Sequence, residues 1–375
     1  MSTPARSKNA GPAQGEPLGL TIDNVRKVYA SRGRETFEAV KGMNMDIRPG
    51  ELISLLGPSG CGKTTTLRMI AGLETVTSGD IRIGDTRIND LPPGKRNVGV
   101  GFESYALYPP LNIKENLAYG LKARKEPNAD EQAEAIAKRL DMEDLLPMRP
   151  ASLSSGQKQR VALARALIRK PPVLLLDEPL GHLDASARQR VRRELKLLQR
   201  EFGYTTIVVT HDQLEAMSLS DRIAVMNGGI IQQFDTPDEI FDNPANLFVA
   251  DFVGEPSINL FDGEAVVRDG KVFAKVGEGM VETTVESATN GQKVTVGIRP
   301  SDCRTGVESG LVSDVVVFED LLEFGQASVE VRGTAKRALV QTPAEEKYEP
   351  GDTVVFAAPP ARVYLFNAES GDRVR

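Results

Sequence analysis

The stretch LLGPSGCGKTTTLRMIAGLE, Leu55 to Glu74, sets three glycines and one lysine between an apolar run and a helix-like one. Gly57-x-x-x-x-Gly62-Lys63-Thr64 fits a phosphate-binding loop, where glycines let backbone N–H groups close around phosphate oxygens. On that reading Gly57, Pro58, Ser59, Gly60, Cys61, Gly62, Lys63, Thr64 and Thr65 cradle a nucleotide. Lys63 reaches the β- and γ-phosphates, and the Thr64 hydroxyl ligates Mg²⁺. Leu52, Ile53, Leu55 and Leu56 predict a buried strand feeding the loop. Thr64 to Leu73 predicts a helix whose positive N-terminus faces the anion. An ordinary glycine-rich turn is the competing interpretation, and only context decides between them. Cys61, beside Lys63 at a helix N-terminus, is expected to be a reactive thiol that bound nucleotide covers, with a buried, inert cysteine as the alternative.

That context begins with the alternation of elements. Short β-rich runs surround the loop from about Leu18 to Val100, and helical patterns take over from about Asn112 to Lys170. In PNADEQAEAIAKRLDM, Asn128 and Glu131 have the spacing of a capping box, and Ala133, Ile136 and Leu140 fall on one face. Strands return in PPVLLLDEP and TTIVVTHD, separated by the helix-like DASARQRVRRELKLLQREF. Strands alternating with helices predict an α/β fold with a largely parallel sheet. After about Asp251 the pattern becomes all-β: AVVRDGKVFAKV predicts a hairpin turning at Asp269-Gly270, and KVTVGI, ASVEV and DTVVFAA add strands.

Composition narrows the function classes. The chain has 375 residues, enough for two or three domains, and a net charge of −6, which supplies no global basic field for nucleic acid. No apolar run approaches the ~20 residues needed to span a bilayer. The opening MSTPARSKNAGPAQGEP lacks the apolar segment of a secretory signal and is expected to be a disordered tail, residues 1–17. Cys61 and Cys303 are the two cysteines, too few for a disulfide framework, which favours a reducing cytosol.

A second chemical element is VLLLDEP. A buried strand delivers Asp177 and Glu178 to its C-terminal edge, where ligands gather in parallel sheets. Asp177 suits the coordination of Mg²⁺, and Glu178 suits a general base that polarises water. By itself such an acidic pair fits a helix N-cap equally well. Just upstream stands LSSGQKQRVALARALIRKP, Leu153 to Pro171. Here the chain resembles the ABC ATPase family, whose signature reads LSGGQ. The resemblance runs in order through Tyr29, the phosphate loop, FESYALYP, the signature, LLLDEP, GHLD and VVTHD, from about Leu18 to the end.

The resemblance implies a P-loop ABC ATPase domain over 18–238, with a helical subdomain at about 103–170. A β-rich, OB-like (TOBE) regulatory domain follows over 239–375. It implies that Tyr29 stacks on adenine, although a strand aromatic in the core remains an alternative. The resemblance also implies that Ser154, Ser155, Gly156 and Gln157 form the signature loop, which contacts the γ-phosphate of ATP held by an opposite protomer, and that Asp184 also binds nucleotide. His211 contacts the γ-phosphate. SYALYP (Ser104 to Pro109), RVALARAL and FDTPDEIFDNPANLFVADFVGEPSINLFDG resemble subunits of maltose-type and glycerol-3-phosphate-type importers. Polyamine, anion and iron importers share that layout. The expected partners are two transmembrane permease subunits, an extracytoplasmic solute-binding protein and a second ATPase subunit, identical or different. The expected place is the cytoplasmic face of the cell membrane, and no nucleic acid is involved. Two other classes stay open: a non-transport ABC ATPase acting on nucleic acid or ribosomes, and a scaffold that binds ATP without turnover.

The sequence departs from the family in three loops. Glu103 stands where the family has a Gln that touches Mg²⁺ and the attacking water. Ser155 replaces the first glycine of the signature, adding a Cβ where close approach or positive φ is expected to be required. Gly181-His182 replaces the usual Ser-Asn.

Overall fold

The computed structural model describes residues 17–30, 36–102, 105–181 and 183–375, and it divides after Pro237 into two compact units. Glu103, Ser104, His182 and the first sixteen residues lie outside the described part.

The first unit opens with β1 (Leu20–Tyr29), β2 (Phe37–Ile47), β3 (Leu52–Leu56), α1 (Lys63–Ala71), β4 (Ser78–Ile83), β5 (Thr86–Arg87) and β6 (Val98–Gly101). A helical stretch follows: α2 (Ile113–Ala123), α3 (Ala129–Arg139) and α4 (Ser155–Leu167). The unit then runs through β7 (Val173–Asp177), α5 (Ala185–Phe202), β8 (Thr205–Thr210), α6 (Gln213–Leu219), β9 (Arg222–Asn227) and β10 (Ile230–Asp235). Six strands form one sheet in the order β10-β9-β3-β8-β7-β6. Its pairings from β9 to β6 are parallel, and β10 closes one edge antiparallel. A smaller antiparallel sheet runs β2-β1-β4-β5.

Parallel strands bury both faces, so theirs are continuous apolar runs. Along β7, Val173 and Leu175 join the core that includes β1, β2 and α1. Leu174 and Leu176 join the core under α2 to α5. The alternation follows from the two-residue period of a strand. Ala133, Ile136 and Leu140 are buried in that second core, as their helical spacing predicts.

The capping box expected at Asn128 is absent. Asn128 sits at φ 56°, ψ 33° and its side chain makes no capping bond. A capping side chain needs extended backbone to reach forward to the first turn, and left-handed backbone does not provide it. Capping boxes do form at Asn112–Glu115 and Ser154–Gln157. Helix α1 stops two residues short of the expected Leu73, because Gly72 at φ 81° caps it. Arg96, 3% exposed, closes over that end. It donates to the carbonyls of Met69, Ile70, Asn89 and Leu91. A Cβ on Gly72 would lie 2.5 Å from Arg96 Nε, so the close approach requires glycine.

Cys61 takes the buried alternative rather than that of an exposed, reactive thiol. It is 3% exposed and belongs to the apolar core beneath the loop. Its sulfur lies close enough to Gly57 that a Cβ there would stand 2.8 Å away. The loop backbone lies above it and the sulfur serves as packing.

The second unit contains α7 (Pro237–Asp242), α8 (Leu247–Phe252), β11 (Asn259–Arg268), β12 (Lys271–Val276), β13 (Gly279–Glu282), β14 (Lys293–Ile298) and β15 (Arg304–Thr305). It ends with β16 (Leu311–Asp320), β17 (Phe324–Val331), β18 (Arg337–Pro343), β19 (Thr353–Ala357), β20 (Val363–Asn367) and β21 (Arg373–Val374). Two antiparallel sheets result, β13-β12-β11-β14-β20-β21 and β15-β19-β16-β17-β18. The β11–β12 hairpin turns at Asp269 (φ 51°) and Gly270 (φ 76°), the two positive values of a type I′ turn. In the VGIRPSD segment, Arg299 is 2% exposed and stacks 3.7 Å from the Phe241 ring centroid. It donates to the Val253 and Phe241 carbonyls at 2.7 and 2.8 Å, fastening the two short helices.

Two outcomes follow from this packing. Arg96→Leu leaves several buried carbonyls unpaired and should cost the first unit about 2–4 kcal/mol. The readout is the urea midpoint of that unit's transition, and an unchanged midpoint would remove Arg96 from the account. Maleimide should label neither buried cysteine of the native chain over a period that labels both in urea. Rapid native labelling of Cys61 would place its sulfur outside the core.

Candidate functional site

Three neighbouring strands, β3, β8 and β7, end on the same side of the sheet. Leu56 pairs with Thr210, and Val209 pairs with Asp177. The phosphate loop, His211 and the Asp177-Glu178 pair therefore leave one edge, although sequence separates them widely. This is the C-terminal edge, where parallel sheets collect ligands.

The loop's glycines answer steric demands. A Cβ at Gly57 would lie 2.3 Å from the Met226 carbonyl oxygen. At Gly62 (φ 105°) it would lie 2.5 Å from the Ala39 oxygen on β2. Gly62 precedes α1, so the first free N–H groups of that helix sit next to the loop. Lys63 is 7% exposed and folds back, with Nζ donating to the Gly57 carbonyl at 2.6 Å and the Pro58 carbonyl at 3.0 Å. A bound phosphate would compete for the same protons.

Thr64 Oγ1 donates to Asp177 Oδ1 at 3.5 Å, so a hydroxyl from the first turn of α1 and a carboxylate from the end of β7 stand side by side as two hard oxygens. No cluster of three or more His, Cys, Asp or Glu ligands occurs among the described residues. A pair of oxygens suits Mg²⁺, which is bound by one or two protein oxygens plus phosphates and water.

Glu178 is strained. Its φ is 47°, a left-handed value that costs a non-glycine residue free energy and is often stored at functional sites. The surroundings hold it there. Its N–H donates to the Val209 carbonyl at 2.9 Å, and its own carbonyl accepts from Gln159 Nε2 at 2.8 Å. The strain turns the side chain so that Oε1 lies 3.0 Å from His211 Nδ1. Both side chains stay open to solvent, Glu178 at 28% and His211 at 64%. Sequence reading missed Gln159, which is buried on α4 and reaches back to the Glu178 backbone; helical spacing alone does not show what a long polar side chain meets.

The signature residues sit elsewhere. Ser154 caps α4, its hydroxyl accepting from Gln157 N–H while Gln157 Oε1 accepts from Ser154 N–H. Ser154 and Ser155 are exposed. Ser155 is the first residue of α4 and has no positive φ, so the strain expected from replacing glycine there is not present. A Cβ on Gly156 would meet Leu183 at 3.0 Å. Asp184 caps α5 by accepting from Ala187 N–H at 2.9 Å, a bond that holds its carboxyl below the usual range. Among the described residues, none of these side chains is hydrogen-bonded to the phosphate loop. Tyr29 ends β1, 38% exposed, and its Cα partner on β2 is Phe37, two residues before Ala39.

One further group was not foreseen. Glu215 is 3% exposed and accepts from Thr210 Oγ1 at 2.8 Å, just behind His211. Burial pushes its carboxyl up to about 7.

Comparison with known proteins places this geometry in a family. A family model described as ABC transporter matches residues 40–181. The xylose/arabinose import ATP-binding protein of Haloferax volcanii is 42% identical over 374 residues, covering 95% of each chain. The sn-glycerol-3-phosphate import ATP-binding protein of a Ruegeria species is 42% identical over 357 residues, 95% of this chain and 99% of that one. The trehalose/maltose import ATP-binding protein of Thermococcus litoralis is 48% identical over 296 residues, covering 76% and 78%. Among solved structures, a dimeric ABC transporter cassette in a post-hydrolysis state, bound to ADP and phosphate, matches with a TM-score of 0.54 and 33% identity. It covers 58% of this chain and 98% of that chain. With its phosphate loop, its acidic strand end and relatives of this identity along nearly its whole length, this chain belongs to the ABC transporter family of ATP-binding ATPases.

Proposed function

We propose that the chain is the ATP-hydrolysing subunit of an importer for a sugar, polyol or glycerol-phosphate-like solute. The observation that carries the catalytic part is the Glu178–His211 contact at 3.0 Å, on the sheet edge that also holds Lys63, Thr64 and Asp177. On this reading Lys63 exchanges its loop carbonyls for the β- and γ-phosphates of ATP. Thr64 and Asp177, with Glu103, would hold Mg²⁺, and the chemistry that ion would supply is neutralisation of charge on the phosphoryl group. Glu178 takes a proton from the attacking water. His211 orients that carboxylate and bonds the γ-phosphate. Tyr29 stacks on the base.

The signature supports a composite site. Ser154, Ser155, Gly156 and Gln157 present an exposed helix N-terminus, which suits an anion, yet none of their side chains bonds the phosphate loop of the same chain. A second ATPase subunit, the same chain or a different one, would place them and Asp184 against the opposite nucleotide. The dimeric cassette structure supports that arrangement by similarity.

The solute class is supported by the relatives, whose names specify import of xylose or arabinose, glycerol 3-phosphate, and trehalose or maltose. No helix of the described residues is long and apolar enough to cross a membrane. The proposed partners are two membrane-spanning permease subunits and an extracytoplasmic solute-binding protein, with this chain bound at the cytoplasmic face.

Glu178→Gln tests the catalytic assignment. It should keep ATP binding and lose about 10²–10⁴-fold in turnover, because an amide cannot accept the proton. Near-normal turnover in Glu178→Gln, combined with its abolition in Glu103→Gln, would transfer the base to Glu103.

A further inference from the structure

Lys27 lies two residues before Tyr29 on β1 and is 5% exposed despite its charge. A buried ammonium requires partners. Its Nζ donates to Glu74 Oε1 at 2.7 Å, the Thr75 carbonyl at 2.8 Å and Thr75 Oγ1 at 3.0 Å. The same nitrogen stands 4.8 Å from the Tyr29 ring centroid. Glu74 completes the frame: its second oxygen accepts from the Tyr29 hydroxyl at 3.1 Å, and the Thr75 N–H donates to Oε1 at 3.0 Å. Lys27 also holds the Glu74 carboxyl below the usual range. The ring is thus held at its hydroxyl and by a cation, while 38% of the residue remains open.

The frame also meets the C-terminal end of the phosphate-binding helix. The Glu74 N–H donates to the Arg68 carbonyl at 3.2 Å, at the C-terminal end of α1. Glu74 is thereby tied by its backbone to the helix that carries Lys63 and Thr64.

We propose that Lys27 and Glu74 are positioning residues for base recognition, which preorganise the Tyr29 ring to stack on a purine without touching the phosphates. The inference rests on the reading that Tyr29 meets the base. A cation near an aromatic ring draws on its electron density, which suits stacking against an electron-rich purine. A ring already fixed in place loses little rotamer freedom when the base arrives. Neither residue belongs to the phosphate loop or to the motifs around Glu178 and His211.

Titration calorimetry on the full chain tests this with MgADP and with magnesium pyrophosphate, which has no base. Lys27→Met and Glu74→Gln should each weaken MgADP about five- to twentyfold and leave pyrophosphate within about twofold. In steady-state hydrolysis the same variants should raise KM for ATP and leave kcat within about twofold. Lys27→Arg should restore most of the MgADP affinity, since a guanidinium reaches the same acceptors. Tyr29→Phe, which removes only the hydroxyl tether, should weaken MgADP by a smaller factor than Lys27→Met. Equal losses for MgADP and pyrophosphate would reduce both residues to general structural support and overturn the proposal. Unchanged MgADP affinity in Lys27→Met and Glu74→Gln, beside a clear loss in Tyr29→Ala, would overturn it while leaving the role of Tyr29 intact. Unchanged affinity in Tyr29→Ala would remove the base-stacking reading itself.

Discussion

Backbone pairing between β3, β8 and β7 holds the site together. The parallel register runs from Leu52–Thr206 to Leu56–Thr210 on one side and from Val173–Thr205 to Asp177–Val209 on the other. Each strand buries both faces, so a slip by one residue would exchange the side chains of two different cores. That penalty fixes where the three strands end. With the ends fixed, the loop after Leu56, the Asp177-Glu178 pair and His211 can meet within hydrogen-bond distance. The strain at Glu178 becomes tolerable for the same reason. Its backbone is held by Val209 on β8 and Gln159 on α4, so the left-handed conformation has no easy escape.

Much of this was legible in the sequence because the informative patterns are local. A continuous run such as VLLLD followed by acidic residues defines a buried parallel strand and its end. The Gly57-to-Thr64 spacing defines a loop that wants backbone near an anion. Asp269-Gly270 between alternating strands defines a turn, and both residues take positive φ. Less legible were pairings across the chain. Arg96 over the end of α1, Gln159 behind Glu178, and Lys27 with Glu74 beside Tyr29 depend on contacts that no short window contains. Asn128 shows the opposite failure: its spacing to Glu131 matches a cap, but its backbone is left-handed and its side chain makes no capping bond. Cys61 was misjudged because motif position indicates the loop's path without indicating which way each side chain faces.

The departures from the family pattern now separate in kind. Ser155 takes the ordinary backbone of a first helical residue, so its extra hydroxyl faces solvent without local strain. Its consequence lies in the surface that the N-terminus of α4 presents. Glu103 and His182 fall outside the described residues.

The central claim is that the edge formed by β3, β8 and β7 closes around a nucleotide through the backbone of the phosphate loop. Amide hydrogen exchange with and without MgATP tests it most directly. The account predicts about tenfold or greater slowing for amides at 57–65, with lesser slowing at 177–178 and 211. Exchange at 57–65 that is unchanged by saturating MgATP would contradict it.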